Sequence, residues 1–166
     1  MDALPILARI AELLERHHLE AILVGNAAAA LQGAPVTTID IDFLFRRSPA
    51  NIRKLKAIAD ELDAVVLRPY YPVSPLWRVV RDSDALQLDF MEAIDGIRSF
   101  EGLRKRSAGK RIGNATLQVA ALADIIKSKK AAGRPQDLAV LPILERALEE
   151  ATNYAKGKIG GAPEGK

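Results

Sequence analysis

Asp40 and Asp42 are the residues of this sequence whose type and spacing point most directly to chemistry. They lie in TTIDIDFLF, residues 37–45, a run of β-branched and aromatic residues that predicts a strand. A strand's two-residue period sends Ile39, Ile41 and Phe43 to one face and both carboxylates to the other. No basic residue shares that strand, so the pair repel each other unless a cation lies between them. Oxygen ligands on a firm strand suit Mg²⁺, which keeps several waters and is completed by substrate phosphates. A second segment, LQLDFM at 86–91, points Leu86, Leu88 and Phe90 inward and leaves Gln87 and Asp89 on the opposite face. With the two strands as neighbours, Asp40, Asp42 and Asp89 form an acidic cluster able to hold two Mg²⁺ ions about 3.5–4 Å apart, the arrangement of in-line phosphoryl transfer.

The elements that must position these acids alternate along the first half of the chain. Ile6, Leu7, Ile10, Leu13 and Leu14 recur at helical spacing and predict a helix over residues 3–17. AILV at 21–24 predicts a buried strand, Gly25 and Asn26 a tight turn, and AAAAL at 27–31 a helix that Gly33 and Pro35 end. A glycine at that turn lets backbone approach a phosphate, and the following helix start favours anions; a plain turn with Asn26 as N-cap explains the same two residues. Ser48 or Asn51 caps a helix carrying Ile52, Leu55, Ile58, Ala59 and Leu62, followed by a short strand at 64–67.

The second half is read as antiparallel. RPYYPVSP at 68–75 is an irregular connection, and WRVVR and LQLDFM form two strands around a turn at 82–84. A helix over 99–105 and a hairpin over 111–119 around Gly113 and Asn114 follow. Residues 120–132 predict a helix with Leu122, Ile125, Ile126 and Lys129 along one side, stopped by Gly133; Pro135 opens a last helix, with a kink expected at Pro142. Residues 1–155 read as one domain and 156–166 as a disordered Gly- and Lys-rich tail.

Composition excludes several classes. At 166 residues, 49% hydrophobic and 27% charged, the chain is globular, not fibrous or disordered. The absence of cysteine removes disulfides, thiol nucleophiles and Cys-based zinc sites. An N-terminal helix interrupted by Arg9, Glu12, Glu15 and Arg16 is no signal peptide, so a cytoplasmic protein is expected. Residues 21–39 carry no charge, yet Asn26, Gln32, Gly33 and Pro35 argue for a buried site there, not a membrane span. The net charge is +3, with the acids concentrated in the first half and the bases in the second, which could pair a cation site with a phosphate-binding wall.

These residues resemble the nucleotidyltransferase-fold superfamily. LVGNAAAALQGAPVTTIDIDFLF is similar to its signature of strand, Gly, helix and Asp-hydrophobic-Asp strand, with Asp89 in LQLDF as third acid. LADIIKSKKAAGRPQDLAVLPIL resembles the C-terminal stretch of stand-alone bacterial members, including toxin–antitoxin nucleotidyltransferases; together the matches span residues 20–148. The resemblance implies an α/β fold of a small mixed sheet flanked by helices, ending in C-terminal helices. It further implies Mg²⁺-dependent transfer of a nucleoside monophosphate from a triphosphate to a hydroxyl, with release of pyrophosphate. Asp40 and Asp42 would ligate the metals, Asp89 would share the metal site and activate the acceptor, and Gly25 and Asn26 would lie against the phosphates. Lys127, Lys130 and Arg134 would contact the triphosphate, and Asp137 would orient a basic neighbour. The acceptor is left open between tRNA, a protein and a small molecule.

Two further functions remain open. A partner protein of a toxin–antitoxin pair would keep the fold without needing the acids, and an RNA-binding module would use Arg104, Lys105, Arg106, Lys110 and Arg111, a run that a solvated loop explains equally well. Tyr70, Tyr71 and Trp77 could stack on a base or close the core. His17 and His18 read as helix-end histidines, and Ser107 lacks triad partners.

Overall fold

Three phenylalanines set the register on which the acids depend. The computed structural model describes residues 4–37 and 40–160, with side chains to 157. In it β2 (Ile41–Phe45) and β5 (Leu86–Met91) run parallel, with Asp42 opposite Asp89 and Phe43 opposite Phe90. The Phe43 and Phe90 rings stack at 5.0 Å and Phe45 meets Phe90 edge-on at 5.8 Å. All three are fully buried. A one-residue slip would carry these rings to the face of the carboxylates, so burial of the aromatic face fixes the pairing of Asp42 with Asp89.

Among the described residues, seven strands form one mixed sheet in the order β3-β4-β5-β2-β1-β7-β6. Central β1 (Ala21–Val24) is buried along its whole length, antiparallel to β2 and parallel to β7 (Ala115–Val119). On one side the sheet ends in the hairpin of β4 (Trp77–Arg81) with β5 and in edge strand β3 (Val65–Leu67); on the other it ends in edge strand β6 (Ala108–Ile112). The mixed sheet with an antiparallel second half is as expected, and β6 starts three residues before the expected hairpin.

The helices follow the apolar periodicity. α1 (Leu4–Arg16) buries Leu7, Ile10, Ala11, Leu13 and Leu14, and His17 and Arg16 at its end both engage Glu61 of α3 (Pro49–Glu61). Ser48 caps α3 by accepting from Asn51 N, and Ser99 caps α4 (Phe100–Arg106) in the same way through Gly102 N. α5 (Leu122–Ala132) stops at Gly133, whose φ of +63° suits a residue without a Cβ. Three boundaries differ from expectation. α2 (Gly25–Leu31) springs directly from β1 with no intervening turn, because extended Val24, not Asn26, precedes its first turn. The described part of β2 begins at Ile41; Thr38 and Ile39 of the expected strand lie outside the described residues. α6 (Pro135–Gly160) continues through Pro142 and four residues past 156, so 157–160 are helical backbone; 161–166 lie outside the described residues. No helix among the described residues is long and apolar enough to cross a membrane.

Candidate functional site

The site forms where β1 gives way to α2 and faces the start of β2. Register places Val24 beside Asp42, and Asp42 beside Asp89 on the next strand. Gly25 has φ +67°, and a Cβ on it would lie 2.9 Å from Asp42 Oδ2. The glycine is thus required twice, for its backbone angle and for the room it leaves to a carboxylate. The absent side chain admits Asp42 to the backbone, which is a different use from the phosphate approach expected of it.

Asp42 and Asp89 lie side by side across β2 and β5, and Asp40 stands one residue before β2. Burial pushes the Asp42 carboxyl up to about 6, and the charges of Asp89 and Asp40 push it the same way. Lys129 and Arg134 pull it down without cancelling that push. Asp40 is exposed and its Oδ1 accepts from Gln87 Nε2 at 3.2 Å, so Gln87 shares the acids' face. Asp89 is 7% exposed, and both of its oxygens are taken by Arg78: Nε donates to Oδ1 at 2.8 Å and Nη2 to Oδ2 at 3.1 Å. Register sets this pair too, since Arg78 on β4 lies directly opposite Asp89 on β5.

No group of three or more His, Asp or Glu side chains among the described residues is arranged to hold a metal ion. The three-acid metal set expected from the sequence is therefore not gathered as one: Asp89 faces its fellow acids but is committed to a guanidinium. Leu44, two residues after Asp42 on β2, is buried at 2% exposure in the core.

Beside Asp42 stands a second charged group. Asp137, 1% exposed, accepts from Arg134 Nε at 2.7 Å and from Lys129 Nζ at 3.4 Å. Burial raises its carboxyl, but Arg134 and Lys129 more than offset this and hold it below the usual carboxylate range. Asp137 orients its basic neighbours, as the resemblance implies. Of the expected triphosphate contacts, Arg134 is brought toward the acids, Lys130 pairs with Glu145 at 2.9 Å on α6, and Lys127 is exposed on α5. Lys129, rather than Lys127 or Lys130, is the lysine of α5 whose charge acts on Asp42. Its signal was visible: it falls on the stripe of Leu122, Ile125 and Ile126, and a lysine on a buried stripe needs a partner. Arg78 was also legible, because the period of WRVVR puts it on the face opposite Trp77 and Val79.

Asn26 Nδ2 reaches Thr37 O at 3.5 Å, and its amide oxygen is buried with no hydrogen-bond partner among the described residues. Beyond Asp89 the acids' face of the sheet lies open: Leu67 and Val65 on β3 are 45% and 58% exposed, and Tyr70 is 54% exposed. Trp77 instead closes the opposite face, 7% exposed beneath the Arg68 guanidinium, which also lies over Tyr71. Three members of the basic run have partners within the fold: Arg104 with Glu101, Arg106 with Asp124 and Lys110 with Leu31 O. A cleft of about 490 Å³ between α1, α4 and β7, lined by His18, Glu20 and Gln118, contains none of the acids.

Comparison with known proteins settles the family. Residues 3–159 match the family described as "Nucleotidyl transferase of unknown function (DUF2204)". The chain belongs to that family. The fold agrees. The chain superposes on the antibiotic-resistance factor ANT(2'')-Ia in complex with adenylyl-2''-tobramycin with a TM-score of 0.61 at 16% identity, covering 96% of this chain and 98% of that one. For the lincosamide antibiotic adenylyltransferase LnuA, lincomycin-bound, the values are 0.60 and 12%, covering 84% and 94%. TM1012 from Thermotoga maritima gives 0.56 and 20%, covering 89% and 92%. No curated protein matches the sequence. This nucleotidyltransferase is accordingly a transferase, of a family that generally uses a divalent metal.

Proposed function

We propose that this nucleotidyltransferase moves a nucleoside monophosphate from a Mg²⁺-bound triphosphate to the hydroxyl of a small molecule, releasing pyrophosphate. The observation that carries the reading is Asp42, paired in register with Asp89, whose carboxyl burial and then the charges of Asp89 and Asp40 push up to about 6. The residues fit the metal: Asp42 on β2 and Asp40 just before it are oxygen donors that suit Mg²⁺, and the buried Asn26 amide oxygen, without a partner among the described residues, suits a donor on a ligand or on a metal-held water. Asp40 and Asp42 would hold the ion, which when bound would neutralise charge on the triphosphate. A second ion of the pair expected from the sequence would need Asp89, whose oxygens Arg78 takes.

In this reading Lys129 and Arg134, oriented by Asp137, attract the triphosphate tail, and Gly25 keeps Asp42 in place against the backbone. Asp89, pinned by Arg78, accepts a hydrogen bond from the acceptor hydroxyl and draws off its proton as the new phosphate ester forms. The acceptor approaches over the open face of β4 and β3, past Tyr70. ANT(2'')-Ia in complex with adenylyl-2''-tobramycin and lincomycin-bound LnuA support a small-molecule acceptor over tRNA or a protein. The internal pairing of the basic run supports catalysis over RNA binding, and the need for a triphosphate accords with a cytoplasmic setting. Incubation with α-labelled triphosphates, Mg²⁺ and a small-molecule extract tests the reading. Label should enter a small molecule with stoichiometric pyrophosphate, and Asp42→Asn should abolish both; absence of labelled product and pyrophosphate from the wild type would sink it.

A further inference from the structure

Asp42, Asp89 and Arg78 stand in one row across three adjacent strands, each opposite the next in register. A row fixed by backbone pairing differs from a surface ion pair. The guanidinium reaches Asp89 from the neighbouring residue position, so little side-chain freedom is lost in holding it. The Nε contact, at 2.8 Å, is of charge-assisted length, the Nη2 contact is longer at 3.1 Å, and the side chains are 22% and 10% exposed. The ring of Tyr70 lies 5.9 Å from the guanidinium, and hydrogen bonding to Asp89, then to Tyr70, raises Arg78 above its already high value. Arg78 is therefore a permanent cation within the acid cluster.

Charge balance gives this a consequence. Arg78 neutralises the charge of Asp89 and leaves Asp40 and Asp42 as the carboxylates a divalent ion would use, beside Lys129 and Arg134, which share Asp137. A second ion between Asp42 and Asp89 would meet a guanidinium that already fills the bidentate position on Asp89.

We propose that Arg78 stands in for a second divalent cation, holding Asp89 out of the metal's coordination so that the site binds one ion through Asp40 and Asp42. The proposal deepens the metal reading above and rests on it. Arg78 is a positioning residue: it acts through Asp89, keeping that carboxylate turned to the acceptor side while sparing it competition from metal. Such an arrangement makes the number of ions a property of residue 78.

Mn²⁺ binding to the full chain without nucleotide tests this, read by electron paramagnetic resonance of free Mn²⁺ and by calorimetry. The wild type should bind one ion at the site, and Asp42→Asn should abolish it. Arg78→Met unmasks Asp89 and should add a second ion or tighten the first by about tenfold. The double variant Arg78→Met with Asp89→Asn removes the pair without changing net charge, and should restore one ion with affinity within about threefold of wild type. Arg78→Gln, which keeps a donor but no charge, gives the same readout if the methionine variant folds poorly. Two ions in the wild type, unchanged binding in both Arg78 variants, or a double variant weakened by more than about tenfold would overturn the role of Arg78 alone. A wild type that binds no Mn²⁺, or binding that survives Asp42→Asn, overturns the metal site itself and the proposal with it.

Discussion

Replacing Asp42 by Asn removes a charge that burial and then the neighbouring acids disfavour, while keeping the side chain's shape. In the folded protein the carboxyl is raised from 3.8 to about 6. Below 3.8 it is protonated in both folded and unfolded chains and has no differential effect. Between 3.8 and 6 the folded chain binds a proton that the unfolded chain has released, so stability falls as pH rises through this window. Above 6 the loss is complete. A shift of about two units corresponds to about 3 kcal/mol at pH 7, shrinking to about 0.5 kcal/mol at pH 4. Solvent access at the mouth of the site brings the expected gain at pH 7 to roughly 1–3 kcal/mol.

In EDTA at pH 7, therefore, Asp42→Asn should be more stable than wild type, with a melting temperature higher by roughly 2–10 °C for a chain of this length. At pH 4 the two should melt nearly together. Adding Mg²⁺ should raise the wild-type melting temperature and leave the variant unmoved, since binding to the folded state alone stabilises it. Urea denaturation and differential scanning fluorimetry at the two pH values would measure this. A variant that is less stable than wild type at pH 7, or a difference that ignores pH, would refute the claim that burial and mutual repulsion dominate at this residue.

Gly25→Ala should cost about 1–2 kcal/mol from its left-handed backbone and also displace Asp42, weakening Mg²⁺-dependent nucleotide binding; calorimetry with a nonhydrolysable triphosphate checks both parts when paired with denaturation. Asp137→Ala leaves Lys129, whose side chain is 13% exposed, without its partner and should cost about 3 kcal/mol at pH 7. Because the folded Asp137 carboxyl lies below its usual range, its contribution is present above 3.8 and is lost as pH falls through the folded value, so wild type and variant should converge in acid unfolding curves. Lys129→Ala should raise the KM for the triphosphate about tenfold or more, whereas Lys130→Ala should change it little; equal effects would contradict the geometry around Asp137.

The alternation in TTIDIDFLF and LQLDFM was enough to turn Asp42 and Asp89 away from the buried phenylalanines of their strands, because a strand's period depends on local backbone alone; Asp40 falls one residue before β2, outside that period. The apolar stripes of α1, α3 and α5 were readable for the same reason, as was Gly133 as a stop, whereas the choice of Ser48 over Asn51 as the cap of α3 came with the structure. Which strand neighbours which was not local. The pairing of Asp42 with Asp89 follows from burying Phe43, Phe45 and Phe90 together, a choice made by packing between residues more than forty positions apart. The partner of Asp89 was likewise decided by cross-strand register at Arg78, and the approach of α6 to α5 decided that Lys129 turns to Asp137 while Lys130 turns to Glu145. Sequence thus determined which way Asp42 and Asp89 turn on their strands; only the assembled sheet determined what each carboxylate answers to, because charge interactions depend on distances that local periodicity does not contain.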